Sequence, residues 1–473
     1  MTIALMDRAP ASREMSIRRA LPFALFAGLA AFALTAFAPG ILNDGDTYWH
    51  IRAGEWMVAH GAVLRADPFS ATMAGAPWHT AEWLSEIVMA LAWRGGWAGV
   101  HLLFAVAAAL TAGVIALFVR RRVDLLPALV TIVLGLSCIT GSLLARPHML
   151  SMPLLALWTC GLVAARERGA APSWWLIVLM PIWANLHGSF AFGLALAGAF
   201  AVEAVLESAD RAKAVRGWAV FILAATISAM LTPTGIHGLL FPIQLTTMRG
   251  IGYIGEWQAE DFSHLSPFVV ALLVTAVMLA TGKLRPSAFR LLILLGLVYL
   301  AVTHVRHQML LGVVAPILLA PALARTWPAK DQSSPRRLAA PAALGFALLA
   351  MTRLALPVTR GDDPVTPASA LASVPPAVRE TPVLNDYGFG GYLIWNGIKP
   401  FIDSRAELYG DTFMKNYASL TAPDKDALAS NLAKYQIRWT IFAANAPVVQ
   451  VLDATPGWHR VYTDTFAVVH IRD

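Results

Sequence analysis

Long apolar runs are the feature that most restricts how this chain can fold. About eleven mainly apolar stretches recur over residues 1–358, and several reach the roughly 20 residues that a helix needs to cross a bilayer. Charged residues make up only 14% of the sequence, against about 25% in soluble globular proteins. We therefore predict a polytopic α-helical membrane protein. The predicted spans are residues 19–39, 96–119, 124–144, 147–165, 173–186, 189–206, 216–232, 266–281, 289–304, 307–324 and 338–357.

The charge and cysteine content exclude two other classes. The net charge of +7 invites a nucleic-acid partner, but the basic residues form short clusters between apolar runs. That distribution is typical of the positive-inside rule, so no nucleic-acid partner is predicted. Cys138 and Cys160 both lie within apolar runs and have no metal-ligand spacing, so we interpret them as packing residues. The first run has no small-residue cleavage site, which favours a retained helix over a signal peptide.

The distribution of Lys and Arg predicts the orientation. With the N-terminus in the cytoplasm, the inner segments hold about three times as many of these residues as the outer loops. An odd number of spans then places residues 359–473 outside. In a bacterial inner membrane this segment would be periplasmic. The predicted domains are therefore a transmembrane domain, residues 1–358, and an extracytoplasmic domain, residues 359–473.

Residues 359–473 are predicted to form a small soluble α/β domain. A helical run covers residues 425–435. The glycines of residues 385–392 lack GxGxxG spacing, so we interpret them as a turn and not as a dinucleotide site. Residues 403–407 follow a predicted strand, where loops often carry contacts. The strand-like runs are residues 381–384, 392–395, 400–403, 439–443 and 466–471.

The long outer loop, residues 40–95, contains two amphipathic helical patterns. In the first, Trp49, Ala53 and Trp56 recur at helical spacing, and Gly61 follows the end of the run. In the second, a polar face lies opposite an apolar face that includes a tryptophan. We expect both helices to lie flat at the outer surface, with carboxylates toward a cavity and indoles toward lipid. The polar face of the second helix holds His79, Glu82 and Glu86.

The triplet Asp44-Gly45-Asp46 lies immediately after the first span. Two carboxylates one residue apart can hold a divalent cation or place a base beside a charged donor. The same triplet is also an ordinary helix N-cap and turn. His50 lies one helical turn after Asp46, a spacing that suits a metal ligand, a charge relay or a hydrogen-bonded interfacial histidine. We predict Asp46 and Asp44 as catalytic residues. The predicted cofactor is Mg²⁺ or Mn²⁺ on Asp44, Asp46 and His50, or none.

Other polar residues on the predicted outer side form a candidate substrate-binding set. Arginine recognises phosphate by paired hydrogen bonds, although each of these residues can also be a headgroup anchor or part of a solvated helix face. The outer loop 233–265, glycine-rich and then acidic, is either a mobile cover over the site or a surface loop without a role. The set is His50, Arg52, His79, Glu82, Glu86, Arg146, His148, His187 and Arg306.

A polytopic chain with an aspartate pair in its first outer loop, interfacial helices after it and an outer α/β domain resembles the GT-C superfamily of membrane glycosyltransferases. Its members use polyprenyl- or dolichyl-phosphate-linked sugars. They include protein O-mannosyltransferases, the aminoarabinose transferase of lipid A and oligosaccharyltransferases. Residues 46–52, with 68–70 and 79–86, are also similar to bacterial proteins described as such transferases. The superfamily's first-loop carboxylate corresponds to Asp44 or Asp46. The WWDYG-type acceptor motif is absent from the sequence.

The resemblance implies an enzyme that moves a sugar, with inversion, from a polyprenyl-phosphate donor to an extracytoplasmic glycan, lipid or protein. A first-loop aspartate would be the base, and Arg146 and Arg306 would hold the phosphate. The implied partners are the donor, membrane lipid and the acceptor. The alternative is a lipid or solute transporter or flippase, which predicts inverted repeats and midplane charges. The sequence shows no clear repeat, and its polar groups gather at one face. A third class is a scaffold or sensor.

Overall fold

The computed structural model describes residues 10–248, 250–253, 255–330, 339–422 and 424–473. Helices predominate, and a small sheet lies in the C-terminal part of the chain. The helices up to residue 355 are α1 (Pro10–Ala36), α2 (Asp46–His60), α3 (Trp83–Trp93), α4 (Gly96–Arg120), α5 (Leu125–Ile139), α6 (Pro147–Glu167), α7 (Leu179–Leu186), α8 (Phe190–Glu207), α9 (Arg211–Ala229), α10 (Ile236–Thr247), α11 (Pro267–Ala280), α12 (Ala288–Thr303), α13 (Gln308–Thr326) and α14 (Ala339–Ala355).

The predicted apolar runs all coincide with helices, and the helical membrane class is confirmed. The number of eleven spans stays a prediction, because several of these helices are short. Residue 338 of the last run lies outside the described residues. So do four of the arginines on whose distribution the predicted orientation depends, namely Arg8, Arg249, Arg336 and Arg337. The described helices long and apolar enough to cross a membrane are Gly96–Arg120, Leu125–Ser142, Pro147–Glu167, Phe190–Glu207, Arg211–Ala229 and Val305–Thr326.

Aromatic side chains fill the core between these helices. Trp158 packs face to face on Phe221, with ring centroids 5.5 Å apart, and its indole N–H donates to the Gly193 carbonyl over 2.8 Å. A Cβ at Gly193 would lie 2.6 Å from the Trp183 ring. Because lipid tails are as apolar as the side chains, close packing of this kind holds membrane helices together. Glycine at position 193 is therefore required for the fit.

A buried ion network fastens the end of the bundle that is predicted to face the cytoplasm. Glu203, near the end of α8, contacts Arg166 of α6 at 3.3 Å and Arg290 of α12 at 3.2 Å. Glu203 and Arg290 are both buried. Buried charges persist only when they are paired, so this network fixes three helix ends against each other.

The C-terminal part of the chain contains a four-stranded sheet. Its strand order is β1-β2-β4-β3; β1 is parallel to β2, and the other neighbours are antiparallel. Buried apolar residues of the strands pack against short helices. The helices are α15 (Ala368–Ser373), α16 (Pro376–Arg379), α17 (Gly390–Trp395), α18 (Ala406–Thr421), α19 (Lys425–Lys434) and α20 (Pro447–Asp453); the strands are β1 (Val383–Asn385), β2 (Trp439–Ala443), β3 (Trp458–Thr463) and β4 (Ala467–Arg472).

The prediction of a strand at residues 392–395 is wrong, because this segment is helix α17. Tyr392 and Trp395 lie on one side of the helix, and their ring centroids are 5.2 and 5.4 Å from that of Tyr48 in α2. A Cβ at Gly391 would lie 2.0 Å from the Gly45 carbonyl oxygen. The glycines predicted to make a turn therefore serve a close approach of α17 to the Asp44-Gly45-Asp46 triplet.

One further strand prediction is wrong, and one strand was missed. Residues 400–403 form no strand, because the side chain of Asn385 bonds their backbone instead: Asn385 accepts from the Phe401 N–H and donates to the Ile402 carbonyl, each over 2.8 Å. Strand β3 was not predicted. The strands at 381–384, 439–443 and 466–471 and the helix at 425–435 are confirmed within a few residues.

The two helices of the first outer loop are present, but their sides are turned differently from the prediction. Helix α2 ends at Gly61, as predicted, and Gly61 has a left-handed φ of 62°. Helix α3 begins at Trp83, so His79 precedes the helix. The indoles do not point away from the protein: Trp49 donates to Ser404 over 2.9 Å and Trp83 to Asn185 over 2.5 Å. Partners distant in sequence draw both rings inward.

We expect Gly54→Ala to weaken the packing of α2 on α3, since its Cβ would lie 2.0 Å from the Glu86 carbonyl oxygen. Such overpacking costs about 1–3 kcal/mol. Thermal unfolding of the purified protein in lipid should occur at a lower temperature. Gly40→Ala is the control, because a Cβ there meets nothing within 4 Å. Equal unfolding temperatures for the two variants would contradict this packing.

Candidate active site

A polar cavity of about 210 Å³ lies where the first outer loop meets the ends of several apolar helices. All the predicted site residues except Asp44 and Arg52 line it. The structure thus brings together side chains that are separated by up to 260 positions in the sequence. The predicted residues in its wall are Asp46, His50, His79, Glu82, Glu86, Arg146, His148, His187 and Arg306.

Arg146 stands at the centre of the site. Its guanidinium donates to both carboxylate oxygens of Asp44, lies 2.9 Å from Asp46 and donates to Glu256 over 2.7 Å. Pro147, the first residue of α6, favours an extended backbone for Arg146, whose φ and ψ are −124° and 156°. The side chain therefore leaves the start of α6 toward the aspartate pair.

Backbone contacts hold the aspartate pair against Arg146. The Thr47 hydroxyl donates to the Ala145 carbonyl over 3.0 Å, and the Ala145 N–H donates to the Ile41 carbonyl over 2.7 Å. The Asp46 N–H donates to Asp44 over 2.8 Å. Both Asp44 oxygens are thus occupied, and its side chain is 2% exposed. Asp44 acts in the structure as an anchor for Arg146 and for the start of α2.

Asp46 differs from Asp44 in its surroundings. Its side chain is 14% exposed and lines the cavity. Burial, opposed by Arg146 and assisted by the neighbouring Asp44, raises the pKa of Asp46 to about 7. A carboxyl group with a pKa near neutrality can take up and release a proton, as general bases do.

A second group of titratable side chains lies on the α3 side of the cavity. His50 Nδ1 is 3.3 Å from Glu86, and His50 Nε2 is 3.9 Å from Glu82, which in turn is 3.4 Å from His187. Burial and the nearby Glu407 raise the pKa of Glu82 to about 8. The second Glu86 oxygen is buried and has no hydrogen-bond partner among the residues that the structure describes. This group can hold protons, but it is separate from the pairing of Asp46 with Arg146.

Glu256 is a site residue that the sequence did not single out. One oxygen accepts from Arg146 over 2.7 Å and the other from Arg306 over 3.1 Å, so the carboxylate bridges the two guanidinium groups. Arg306 also lies over the Trp257 ring, 4.3 Å from its centroid. The acidic stretch in the outer loop 233–265 was the sequence signal for this residue. Local sequence does not show that Glu256 pairs with Arg146.

Residues after Phe401 form the remaining wall. Arg405 is fully buried between Asp403, at 2.6 Å, and Asp67, at 2.7 Å. Glu407 accepts from the Trp78 indole over 3.2 Å. Ser404, Arg405 and Glu407 all line the cavity. The segment 403–407 was noted as a possible contact loop, and the structure shows that it joins the first outer loop to the C-terminal part of the chain.

The other predicted residues have mixed surroundings. Arg52 lies away from the cavity wall: it donates to the Trp395 carbonyl over 2.6 Å and to Glu55 over 2.8 Å. His148 lines the cavity, with Nε2 at 2.7 Å from the Ser142 carbonyl. His79 lies in the wall beside His237, with ring centroids 6.5 Å apart. Arg52 therefore has structural contacts outside the cavity, and its role in binding a ligand stays a prediction.

The predicted metal set does not fit a divalent cation as the structure arranges it. Arg146 already pairs with Asp44 and Asp46, and a cation there would be repelled by the guanidinium. His50 pairs with Glu86. Within the described ranges, no group of three or more His, Cys, Asp or Glu residues has an arrangement suited to a metal ion. The metal set therefore stays a prediction.

The solved structures to which this chain is similar include two from one archaeon. The Archaeoglobus fulgidus oligosaccharyltransferase in its apo form matches with 11% identity and a TM-score of 0.43, covering 89% of this chain and 69% of that one. Archaeal oligosaccharyltransferase AglB from Archaeoglobus fulgidus, in complex with an inhibitory peptide and a dolichol-phosphate, matches with 10% identity and a TM-score of 0.41, covering 95% and 74%. No family model and no curated protein matches.

Oligosaccharyltransferases are among the enzymes of the superfamily that the sequence resembles. Because both TM-scores are below 0.5 and the identities are about a tenth, these likenesses do not decide the activity. The chemistry of this chain's own residues must therefore indicate its activity.

Arg405→Met should destabilise the protein strongly, because it leaves the buried Asp67 and Asp403 without their cation. Removing one partner of a buried ion pair costs about 3–5 kcal/mol. Arg460→Met is the matched control, since Arg460 pairs with Asp453 at the surface, where a pair contributes about 0–1 kcal/mol. Thermal unfolding in lipid measures both, and equal shifts would show that the Arg405 pair does not hold the two parts of the chain together.

Proposed function

We propose that this protein is a membrane glycosyltransferase that moves a sugar from a polyprenyl-phosphate donor to an acceptor on the outer side of the membrane. Asp46 is the general base, and Arg146 and Arg306 hold the donor phosphate. The acceptor brings a hydroxyl or amine group. The observation that carries the proposal is the position of a polar, arginine-containing cavity beside an apolar groove, the two meeting at the end of α5 and at α13.

The apolar groove has a volume of about 340 Å³ and lies between α5, α11, α12 and α13. Cys138 and Gly312 line the groove, and one helical turn away Gly141 and Met309 line the polar cavity. The two spaces therefore share the interface of α5 and α13. A molecule with an anionic head and a long apolar tail matches this arrangement, as a prenyl chain linked to phosphate does.

The proposed reaction is a single displacement. The acceptor oxygen or nitrogen bonds to the anomeric carbon of the sugar while the bond from that carbon to the phosphate oxygen breaks. The electron pair leaves with the phosphate, whose charge Arg146 and Arg306 stabilise. The acceptor proton passes to the Asp46 carboxylate. Attack opposite the leaving group inverts the configuration of the anomeric carbon.

Arg146 sets the spacing between the base and the leaving group. It contacts Asp46 with Nη2 and the Glu256 carboxylate, beside Arg306, with Nη1. Base and anion site therefore lie at different edges of one planar group. A sugar placed along the cavity wall can face both.

Asp46→Asn should lower the transfer rate by about 10²–10⁴-fold, because an amide cannot accept the acceptor proton. The assay uses purified protein in lipid, with a panel of radiolabelled polyprenyl-phosphate sugars and cell-envelope acceptors. Asp261→Asn is the control, since Asp261 lies on an exposed loop and bonds Ser263. Transfer by Asp46→Asn at the wild-type rate would rule out Asp46 as the base.

The pH dependence follows from the same group. A base acts in its deprotonated form, and burial raises the pKa of Asp46 to about 7. The rate should therefore rise with pH through about 7 and fall below it, whereas an ordinary aspartate would already be fully active at about pH 5. A profile of the wild-type transfer rate that is flat between about pH 5 and pH 8 would contradict this assignment.

Val298→Trp should weaken binding of long-chain donors, because its indole would fill the groove that Val298 lines. Donors with a short prenyl chain should bind as before, since their contacts lie in the polar cavity. Leu295→Trp is the control on the same helix, as Leu295 is 54% exposed on its outer side. Competition binding with donors of graded chain length gives the comparison. An equal loss of affinity for short-chain and long-chain donors would show that the groove is not part of the donor site.

A further inference from the structure

The Glu256 carboxylate occupies the space between two guanidinium groups. Its oxygens are divided between them, one at 2.7 Å from Arg146 Nη1 and the other at 3.1 Å from Arg306 Nη1. Two oxygens of one anion, each on a different guanidinium, is also the arrangement in which arginines bind a phosphate. The carboxylate thus fills a position with the geometry of an anion site.

The charges around this position leave no room for a second anion. Asp44, Asp46 and Glu256 share only two guanidinium groups, Arg146 and Arg306. Burial raises the pKa of Glu256, but Arg146 and Arg306 outweigh it and hold the pKa below its usual value. Glu256 is therefore a carboxylate at neutral pH. A phosphate that approached the two arginines would be repelled unless Glu256 moved away.

The surrounding contacts allow the Glu256 side chain to move while the arginines keep their places. Trp257 packs on Arg306, with its ring centroid 4.3 Å from the guanidinium carbon. The Val305 N–H donates to the Gln258 carbonyl over 3.0 Å, and the Glu260 N–H donates to the Val302 carbonyl over 2.9 Å. These bonds tie the residues after Glu256 to the corner between α12 and α13. Rotation of the Glu256 side chain alone would free the site.

We propose that Glu256 is a displaceable occupant of an anion site formed by Arg146 and Arg306, and that a ligand phosphate enters by displacing it. The inference rests on the proposed function for the identity of the ligand, the phosphate of a lipid-linked sugar. It adds that Glu256 sets the specificity of the site. A neutral lipid offers nothing to replace the carboxylate, whereas a phosphate supplies the two oxygens that both arginines require.

The test is equilibrium binding to the full chain in nanodiscs of zwitterionic lipid. The probes are farnesyl phosphate, inorganic phosphate and farnesol. Glu256→Gln keeps the shape of the side chain and removes its charge. If the carboxylate occupies the site in about nine molecules of ten, its removal raises the affinity for phosphate about tenfold. Glu256→Ala is the second variant and should show the same gain.

Glu260→Gln is the matched control. Glu260 lies on the same segment but accepts hydrogen bonds from Ser266 and Gln308. Removal of the Glu260 charge should therefore leave the affinity for every probe unchanged. A gain in affinity for farnesyl phosphate alone supports a lipid-borne phosphate as the ligand. A gain for both farnesyl phosphate and inorganic phosphate supports a site that recognises the phosphate group without a prenyl chain. An equal gain with farnesol, or affinities for phosphate no higher in either Glu256 variant than in the wild type, would overturn the proposal.

Failure of the inference and failure of the proposed function give different results. If Glu256→Gln binds phosphate more tightly but the wild type transfers no sugar, the anion site is supported and the transferase activity is contradicted. If sugar transfer depends on Asp46 but the phosphate affinity is unchanged in both Glu256 variants, the transferase activity is supported and the role of Glu256 is contradicted.

Discussion

The site depends on a single guanidinium group, that of Arg146. It pairs with Asp44 just before α2, with Asp46 at the first residue of α2, and with Glu256 of the distant loop 233–265. Unpaired carboxylates next to a bilayer are expensive, and this cation is shared among all three acidic groups, while Arg306 also pairs with Glu256. The same contact fixes the start of α6 against the start of α2, and it sets the distance between the proposed base and the proposed anion site.

A second constraint is the close contact between the first outer loop and the C-terminal part of the chain. A Cβ at Gly391 would lie 2.0 Å from the Gly45 carbonyl oxygen, and a Cβ at Gly45 would lie 2.5 Å from the Gly388 carbonyl oxygen. The buried Arg405 also pairs with Asp67 of the loop. The wall that contains Ser404 and Glu407 is thereby placed opposite α2 and α3. The C-terminal segment thus forms part of the cavity, which gives it a role beyond that of an appended module.

Much of the organisation could be predicted from the sequence, because apolar runs and the end of α2 at Gly61 are local signals. Most of the charged residues that line the cavity could also be predicted to lie together, from their common position on one side of the predicted bundle. Glu256 was missed because its role depends on Arg146, 110 positions away. The tryptophan directions were wrong for the same reason: Trp49 bonds Ser404, which no helical period reveals. Segment 392–395 has strand-forming residues, but packing on Tyr48 makes it a helix.

The most direct test is an experimental structure of the protein in lipid with a long-chain polyprenyl phosphate. We expect the phosphate between Arg146 and Arg306, the Glu256 side chain turned away, and the chain in the groove along α5 and α13. That result would show that the polar cavity and the apolar groove form one donor site, with Asp46 at its edge. A lipid phosphate bound elsewhere, with Glu256 still bridging the two arginines, would contradict the proposed donor site.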